Sequence, residues 1–162
     1  MSGEHVPEAA SRLLDRWRAA GERIVFTNGV FDQLHRGHVE YLEEARDLGD
    51  RLVVGLNTDA SARRLKGPQR PIIPEGERAE VLAALECVDL VILFDEDTPG
   101  RLIGDVRPDV LAKGGDWALD EIVGRDFVES YGGRVERIRL REGLSTSNLV
   151  RRILEGRSAL EP

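Results

Sequence analysis

Apolar residues recur along this chain in two alternating rhythms. Short continuous runs, Ile24 to Thr27, Leu52 to Leu56, Leu90 to Phe94, Val110 to Ala112 and Val135 to Leu140, have the length and composition of strands buried on both faces. Between them lie segments whose apolar residues return at the helical spacing that turns one face toward a core. Residues 7–20 align Ala10, Leu13, Leu14 and Trp17 and stop at Gly21. A helix from about His38 aligns Tyr41, Leu42, Ala45 and Leu48, and Gly49 follows where a left-handed residue is favoured. Asn57-Thr58-Asp59 caps a short helix, and residues 66–74 form a proline-rich loop. Further helices are expected from Glu75 to Glu86, from Thr98-Pro99, near 121–131, and from Ser145-Thr146-Ser147 to about Gly156.

Strands alternating with helices predict an α/β fold: a single-domain, Rossmann-like, doubly wound parallel sheet with helices on both faces. Residues 1–22 read as an N-terminal helical extension, 23–156 as the domain and 157–162 as a loose tail. Arg137, Arg139 and Arg141 alternate along the last strand, as on a sheet edge guarded by charge. In such sheets ligands bind beyond the carboxyl ends of the strands. The unusual polar residues lie just there: Asn28 to His38, Asn57 to Asp59, Lys113 to Asp116 and Ser145 to Ser147.

Composition narrows the partners. The net charge of −7 over 162 residues argues against nucleic acid, whose phosphates select basic faces. No apolar run is long enough to span a membrane and no basic-then-apolar leader opens the chain, so a cytoplasmic location is expected. The lone Cys87 has no internal disulfide partner, and the spacing of cysteine and histidine offers no zinc site.

The most informative stretch is Ile24 to His38, an apolar strand followed by Asn28-Gly29-Val30-Phe31-Asp32 and then His35-Arg36-Gly37-His38. Strand, glycine-bearing turn and helix start together can hold a polyphosphate without a Walker loop. Backbone amides and the positive helix end face the anion, and imidazoles add donors where charge develops. Structural alternatives stand beside this reading, with His38 as a helix cap and His35 packed in a loop.

With that motif in place, the chain resembles the nucleotidylyltransferase superfamily, and within it the D-glycero-β-D-manno-heptose 1-phosphate adenylyltransferases. The resemblance runs from about Ile24 to Ile153. It is carried by residues 27–32, Leu-Gly-Asp-Arg-Leu (48–52), Asn-Thr-Asp-Ala-Ser (57–61), Arg-Leu-Lys-Gly (64–67) with Arg70-Pro71, and residues 84–89 and 95–99. Lys-Gly-Gly-Asp (113–116) and Leu-Ser-Thr-Ser (144–147) complete it. It implies transfer of AMP from ATP to a heptose 1-phosphate for ADP-heptose and lipopolysaccharide core biosynthesis, with Mg²⁺ arriving on the ATP and no metal held by the protein. A homodimer is implied as well.

The resemblance also implies roles. His35, His38 and Lys66 would be catalytic, with Lys66 neutralising the leaving pyrophosphate. Thr27, Asn28, Gly29, Phe31, Gly37, Lys113, Gly115, Asp116, Trp117, Ser145, Thr146 and Ser147 would bind the nucleotide. Asp32, Asn57, Arg70 and Arg78 would bind the acceptor. Several also have a plainer reading: Asp32 as a turn aspartate, Lys66 as a solvated lysine, Arg78 as a surface partner of Glu75, Trp117 in the core, and Ser145 to Ser147 as helix caps. Trp117 stands where the family often has tyrosine, and Ser145-Thr146-Ser147 where it often has Ser-Thr-Thr. Glycerol-3-phosphate cytidylyltransferases share much of the pattern, though they usually carry arginine where Leu140 stands. A cytidylyltransferase for a polyol phosphate is thus the nearest rival, and a non-catalytic nucleotide-binding module the rival of another class.

Overall fold

The computed structural model of the chain describes residues 6–115, 118–139 and 146–158. Five strands, β1 (Ile24–Gly29), β2 (Arg51–Asn57), β3 (Leu90–Phe94), β4 (Val110–Gly114) and β5 (Arg134–Ile138), form one sheet in the order β3-β2-β1-β4-β5. Every pairing is parallel. Between the strands run α2 (Arg36–Asp47), α3 (Asp59–Lys66), α4 (Glu75–Ala83), α5 (Gly100–Val106) and α6 (Arg125–Ser130), with α1 (Glu8–Ala19) before and α7 (Thr146–Ser158) after.

Each face of the sheet carries its own core, as alternation of side chains along a strand requires. On one face Ile24, Phe26, Val53, Ile92 and Leu111 pack with Ala10, Leu14 and Trp17 of α1, Leu102, Ile103 and Val106 of α5, and Val128 of α6. On the other, Val25, Leu52, Val54, Leu56, Val110 and Ala112 pack with Tyr41, Leu42 and Ala45 of α2 and Leu82 of α4. The N-terminal extension therefore contributes side chains to the same core as the central strands. The expected doubly wound sheet is what forms.

Several boundaries moved for identifiable reasons. Helix α2 begins at Arg36, because the His35 side chain accepts the N–H of Gly37 and caps it. The stretch near 121–131 is not one helix. A 3₁₀ turn at Leu119–Glu121 is separated from α6 by Gly124, whose φ of 88° is left-handed. Lys66 is the last residue of α3 rather than a loop residue, and Gly67 at φ 103° ends that helix. Gly49 is not among the left-handed glycines. It is needed for close approach, since a Cβ there would lie 2.7 Å from Val25 Cγ2 and 2.8 Å from the Arg23 carbonyl oxygen. Strand β5 is an edge strand with Arg137 and Arg139 exposed, while Arg141 lies outside the described residues.

What positions the site is the way β1 leaves β4. β1 stays paired with β2 from Ile24↔Arg51 to Gly29↔Leu56, but with β4 only at Val25↔Val110 and Phe26↔Leu111. From β1 the chain steps through β2 and β3 to one edge, then returns past β1 to β4 and β5, so a crevice opens between β1 and β4 at the carboxyl ends, the usual ligand site in doubly wound sheets.

Candidate active site

The crevice is a cleft of about 460 Å³ lined by Asn28, Gly29, Val30, Phe31, Asp32, His38, Tyr41, Lys66, Arg70, Gly114 and Ser147. Four stretches distant in sequence meet there: the end of β1 with its turn and the first half of α2, the stretch from Lys66 to Arg70, the end of β4 at Gly114, and the start of α7.

Side chains bridge β1 and β4 where their backbones part. The Tyr41 hydroxyl, from α2, lies 2.5 Å from Thr27 Oγ1 and donates at 3.4 Å to the Ala112 carbonyl. One rung further out, the Lys113 ammonium donates to Asn28 Oδ1. Burial raises the Tyr41 hydroxyl to about 12, so it stays a donor at any ordinary pH. Burial also lowers Lys113 to about 8, which still leaves it mainly protonated near neutrality. The turn then tightens. Phe31 is buried with φ at 47°, an uncommon conformation for a non-glycine residue, and its ring edge meets the His38 ring at 5.4 Å. Gly29 makes room for that ring, because a Cβ there would lie 2.9 Å from Phe31 Cε2.

The histidines form a stacked pair with ring centroids 3.9 Å apart. Nδ1 of His35 accepts the Gly37 N–H at 3.1 Å, and Nδ1 of His38 accepts the His35 N–H at 3.4 Å. With both Nδ1 atoms accepting, each neutral ring carries its proton on Nε2, which has no protein partner among the described residues. Burial lowers the pKa of His35. Burial, and then the charge of His35, lower that of His38 to about 4. The pair is neutral at pH 7, two N–H donors rather than two cations, at the positive end of a helix.

Positive charge comes instead from the end of α3 and the stretch that follows it. Arg70 pairs with Asp32 at 2.8 Å, and Asp32 also accepts the N–H groups of Ile72 (2.7 Å) and Ile73 (2.9 Å). Burial would raise the Asp32 pKa, but the N–H groups of Ile73 and Ile72 and the Arg70 guanidinium outweigh it, and the carboxyl lies below its ordinary value. Lys66 lines the same cleft from an exposed position.

The sequence matches the cytidylyltransferase-like family over residues 26–153. The chain belongs to that family. It is 60% identical over 148 residues to the Bifunctional protein HldE of Syntrophotalea carbinolica, covering 91% of this chain and 30% of that protein. Against the Bifunctional protein HldE of Geobacter sulfurreducens it is 60% identical over 138 residues, 85% of this chain and 28% of that one. The chain thus spans under a third of the length of these relatives. Among solved structures, the lipopolysaccharide core biosynthesis protein from Thermoplasma volcanium superposes with a TM-score of 0.62 at 35% identity, covering 75% of this chain and 98% of that one. Pantothenate synthetase from Thermus thermophilus, at 20% identity and a TM-score of 0.55, over 84% of this chain and 65% of that one, shares the fold alone.

For this member of the cytidylyltransferase-like family, the expected site residues divide into groups. Asn28, Gly29, Phe31, Asp32, His38, Lys66, Arg70 and Ser147 line the cleft. His35 and Gly37 adjoin that lining, in the cap at the head of α2 that holds His38. Thr27 is wholly buried on Tyr41, and Lys113 stands behind Asn28. Gly115 leaves β4 at φ 97° and donates its N–H to the Ile138 carbonyl. Asp116, Trp117, Ser145 and the Thr146 side chain lie outside the described residues.

Two expectations are corrected. Arg78 neither lines the cleft nor sits on the surface beside Glu75. Its side chain is fully buried and spent on Val30, Asn57, Asp59 and Ile73. Asn57 is buried too, and its amide donates to Ser61 Oγ at 2.9 Å rather than facing the cleft. Tyr41, which helical spacing marks only as core, lines the cleft and bridges β1 and β4. The available signal was its hydroxyl, since a buried tyrosine tip usually needs a partner.

Proposed function

We propose that the chain is an adenylyltransferase that moves AMP from ATP to D-glycero-β-D-manno-heptose 1-phosphate, giving ADP-heptose and pyrophosphate for lipopolysaccharide core biosynthesis. The observation that carries the reading is the meeting of His38, Lys66 and Arg70 around the backbone that follows β1. The identity shared with the HldE proteins supports the choice of nucleotide and acceptor.

An oxygen of the acceptor's phosphate attacks the α-phosphorus of ATP in line, and the bond from that phosphorus to the β-phosphate oxygen breaks. Pyrophosphate leaves with the bonding electrons, and no covalent enzyme intermediate is needed. Such a reaction asks the protein for position and for charge stabilisation. The Nε2–H groups of the neutral histidine pair suit the oxygens of the α-phosphate, where donors count most. Lys66 and Arg70 supply cations for the pyrophosphate and the acceptor. Mg²⁺ arrives with ATP, held by phosphate oxygens and water. The donor set fits this, because Asp32, the carboxylate among the described lining residues, is already taken by Arg70 and two backbone N–H groups. The same reading makes the protein a cytoplasmic homodimer acting on small molecules. No helix among the described residues is long and apolar enough to cross a membrane.

Pyrophosphate release with ATP or CTP, paired with heptose 1-phosphate or glycerol 3-phosphate and followed by mass identification of the product, tests the proposal. ADP-heptose is expected. The family's cytidylyl name makes CDP-glycerol the informative alternative, and its appearance as main product would replace this reading. No release with any pair would leave a nucleotide-binding module.

A further inference from the structure

A fully buried arginine needs an explanation, because burying an unsatisfied guanidinium is costly. Arg78 sits in the first turns of α4 with its side chain at 0% exposure. Its bonds are distributed with an evident pattern. Nε donates to the Ile73 carbonyl at 2.8 Å, at the end of the loop that carries Arg70. Nη1 donates to Val30 O at 2.6 Å, in the turn after β1, and to Asn57 O at 3.0 Å, at the end of β2. Nη2 pairs at 2.7 Å with Asp59, the first residue of the helix that ends in Lys66. One planar group on α4 thus ties together three other places in the chain, the turn after β1, the β2–α3 junction and the end of the loop at Ile73.

We infer that Arg78 is a positioning residue for the transfer reaction, clasping the Lys66–Ile73 segment to the turn after β1 so that the cleft's cations face His38. The inference rests on the proposed adenylyl transfer. Two neighbouring contacts make the clasp double-sided. Ile73 is held by its carbonyl to Arg78 and by its N–H to Asp32, two residues beyond Val30. Glu75 then receives the Asp59 N–H at 2.6 Å, which joins the start of α3 to the start of α4. Lys66 and Arg70 stand at the ends of a five-residue stretch with no regular structure beyond Lys66, so their heads are placed by what anchors that stretch. Lysine cannot replace this device, because an ammonium is a point donor and cannot span the fixed fork of a guanidinium.

The test is Arg78→Lys, alone and combined with Lys66→Ala. Misplacing the cations should lower kcat by about 10-fold or more, the scale on which small misplacements act, with KM for ATP changed less. In the Lys66→Ala background the same substitution should cost far less, because residues that act through one another are non-additive. Hydrogen exchange at the Ile72 and Ile73 amides should quicken while the β2 amides keep their protection. A lowered Tm with kcat per folded molecule unchanged, or full additivity with Lys66→Ala, would reduce Arg78 to a structural strut and overturn the inference. If Arg78→Lys does not fold, Asp59→Ala, which removes a single arm, takes its place in the same cycle. If the wild type turns over no ATP with heptose 1-phosphate, the functional reading fails by itself. Hydrogen exchange then decides the clasp, and unchanged exchange at Ile72 and Ile73 overturns it.

Discussion

Replacing His38 with alanine tests the site at its centre, and its consequences divide into chemistry, folding and pH. In the proposed transfer, the substitution removes an Nε2–H donor aimed at developing charge. Losing one such donor costs about 3–4 kcal/mol of transition-state stabilisation, so kcat should fall about 10²- to 10³-fold. In folding, the ring gives up its stack on His35 at 3.9 Å, its edge contact with Phe31 at 5.4 Å and a long hydrogen bond from the His35 N–H at 3.4 Å. Cap and ring contacts of that kind sum to about 1–2 kcal/mol, a Tm decrease of several degrees in a domain of this size. The protein should stay folded at assay temperature. The pH effect has a definite sign. With the folded ring at about 4 against 6.5, protons bind the unfolded chain first, so stability is complete above pH 6.5 and is lost as pH falls toward 4. For a half-buried ring, solvent screening reduces that contribution to about 1–2 kcal/mol. His38→Ala should lack it, and its stability should fall less steeply below pH 6.5. Pyrophosphate release under saturating substrates and thermal unfolding followed by circular dichroism from pH 4 to 8 are the assays. Turnover within about 3-fold of wild type would refute the donor role, since a donor aimed at developing charge is worth far more. An unaltered pH slope would refute the burial argument.

Lys66→Ala should lower kcat more than it weakens ATP binding, as expected for a cation that meets the leaving pyrophosphate mainly in the transition state. Measuring kcat beside the ATP dissociation constant decides it, and a change in affinity alone would make Lys66 a ground-state binding residue. Gly49→Ala should destabilise by about 1–3 kcal/mol through forced overpacking, because one atom in the way is the Arg23 backbone oxygen, which cannot rotate aside. Its kcat per folded molecule should be unchanged, so thermal melts and turnover together check the claim. ATP should be preferred over CTP by about 100-fold or more in kcat/KM if buried polar groups read the base edge. Equal turnover of the two nucleotides would remove that assumption.

The bridges across the crevice bear on how such a site can be rigid. Had β4 stayed paired with β1, backbone bonds would fill the space where the proposed reaction seats its nucleotide. Tyr41 and Lys113 hold the strands instead through side chains, which brace the opening without closing it. Preorganisation of this kind leaves the histidine pair at the head of α2 little to rearrange when substrate arrives.

By itself, the order of residues determined what depends on neighbours along the chain. Apolar runs alternating with helical spacing specify five strands, their helices and a doubly wound sheet, since burial on two faces selects continuous runs and burial on one selects a stripe. The strand–turn–histidine sequence marks a candidate anion site because its amides and rings are adjacent in the chain. Only the tertiary structure decided matters that depend on a group's distant partners. Arg78 looks like any exposed helix arginine until the carbonyls of Val30, Asn57 and Ile73 converge on it. Tyr41 reads as core until Ala112 and Thr27 arrive at its hydroxyl, and Gly49 reads as a helix stop until Val25 and Arg23 crowd it. The charge states follow the same rule: the neutrality of His38 and the ionisation of Asp32 come from burial and from donors that the fold brings in. Local pattern carries periodicity and turn chemistry, whereas hydrogen-bond satisfaction and desolvation belong to the assembled molecule.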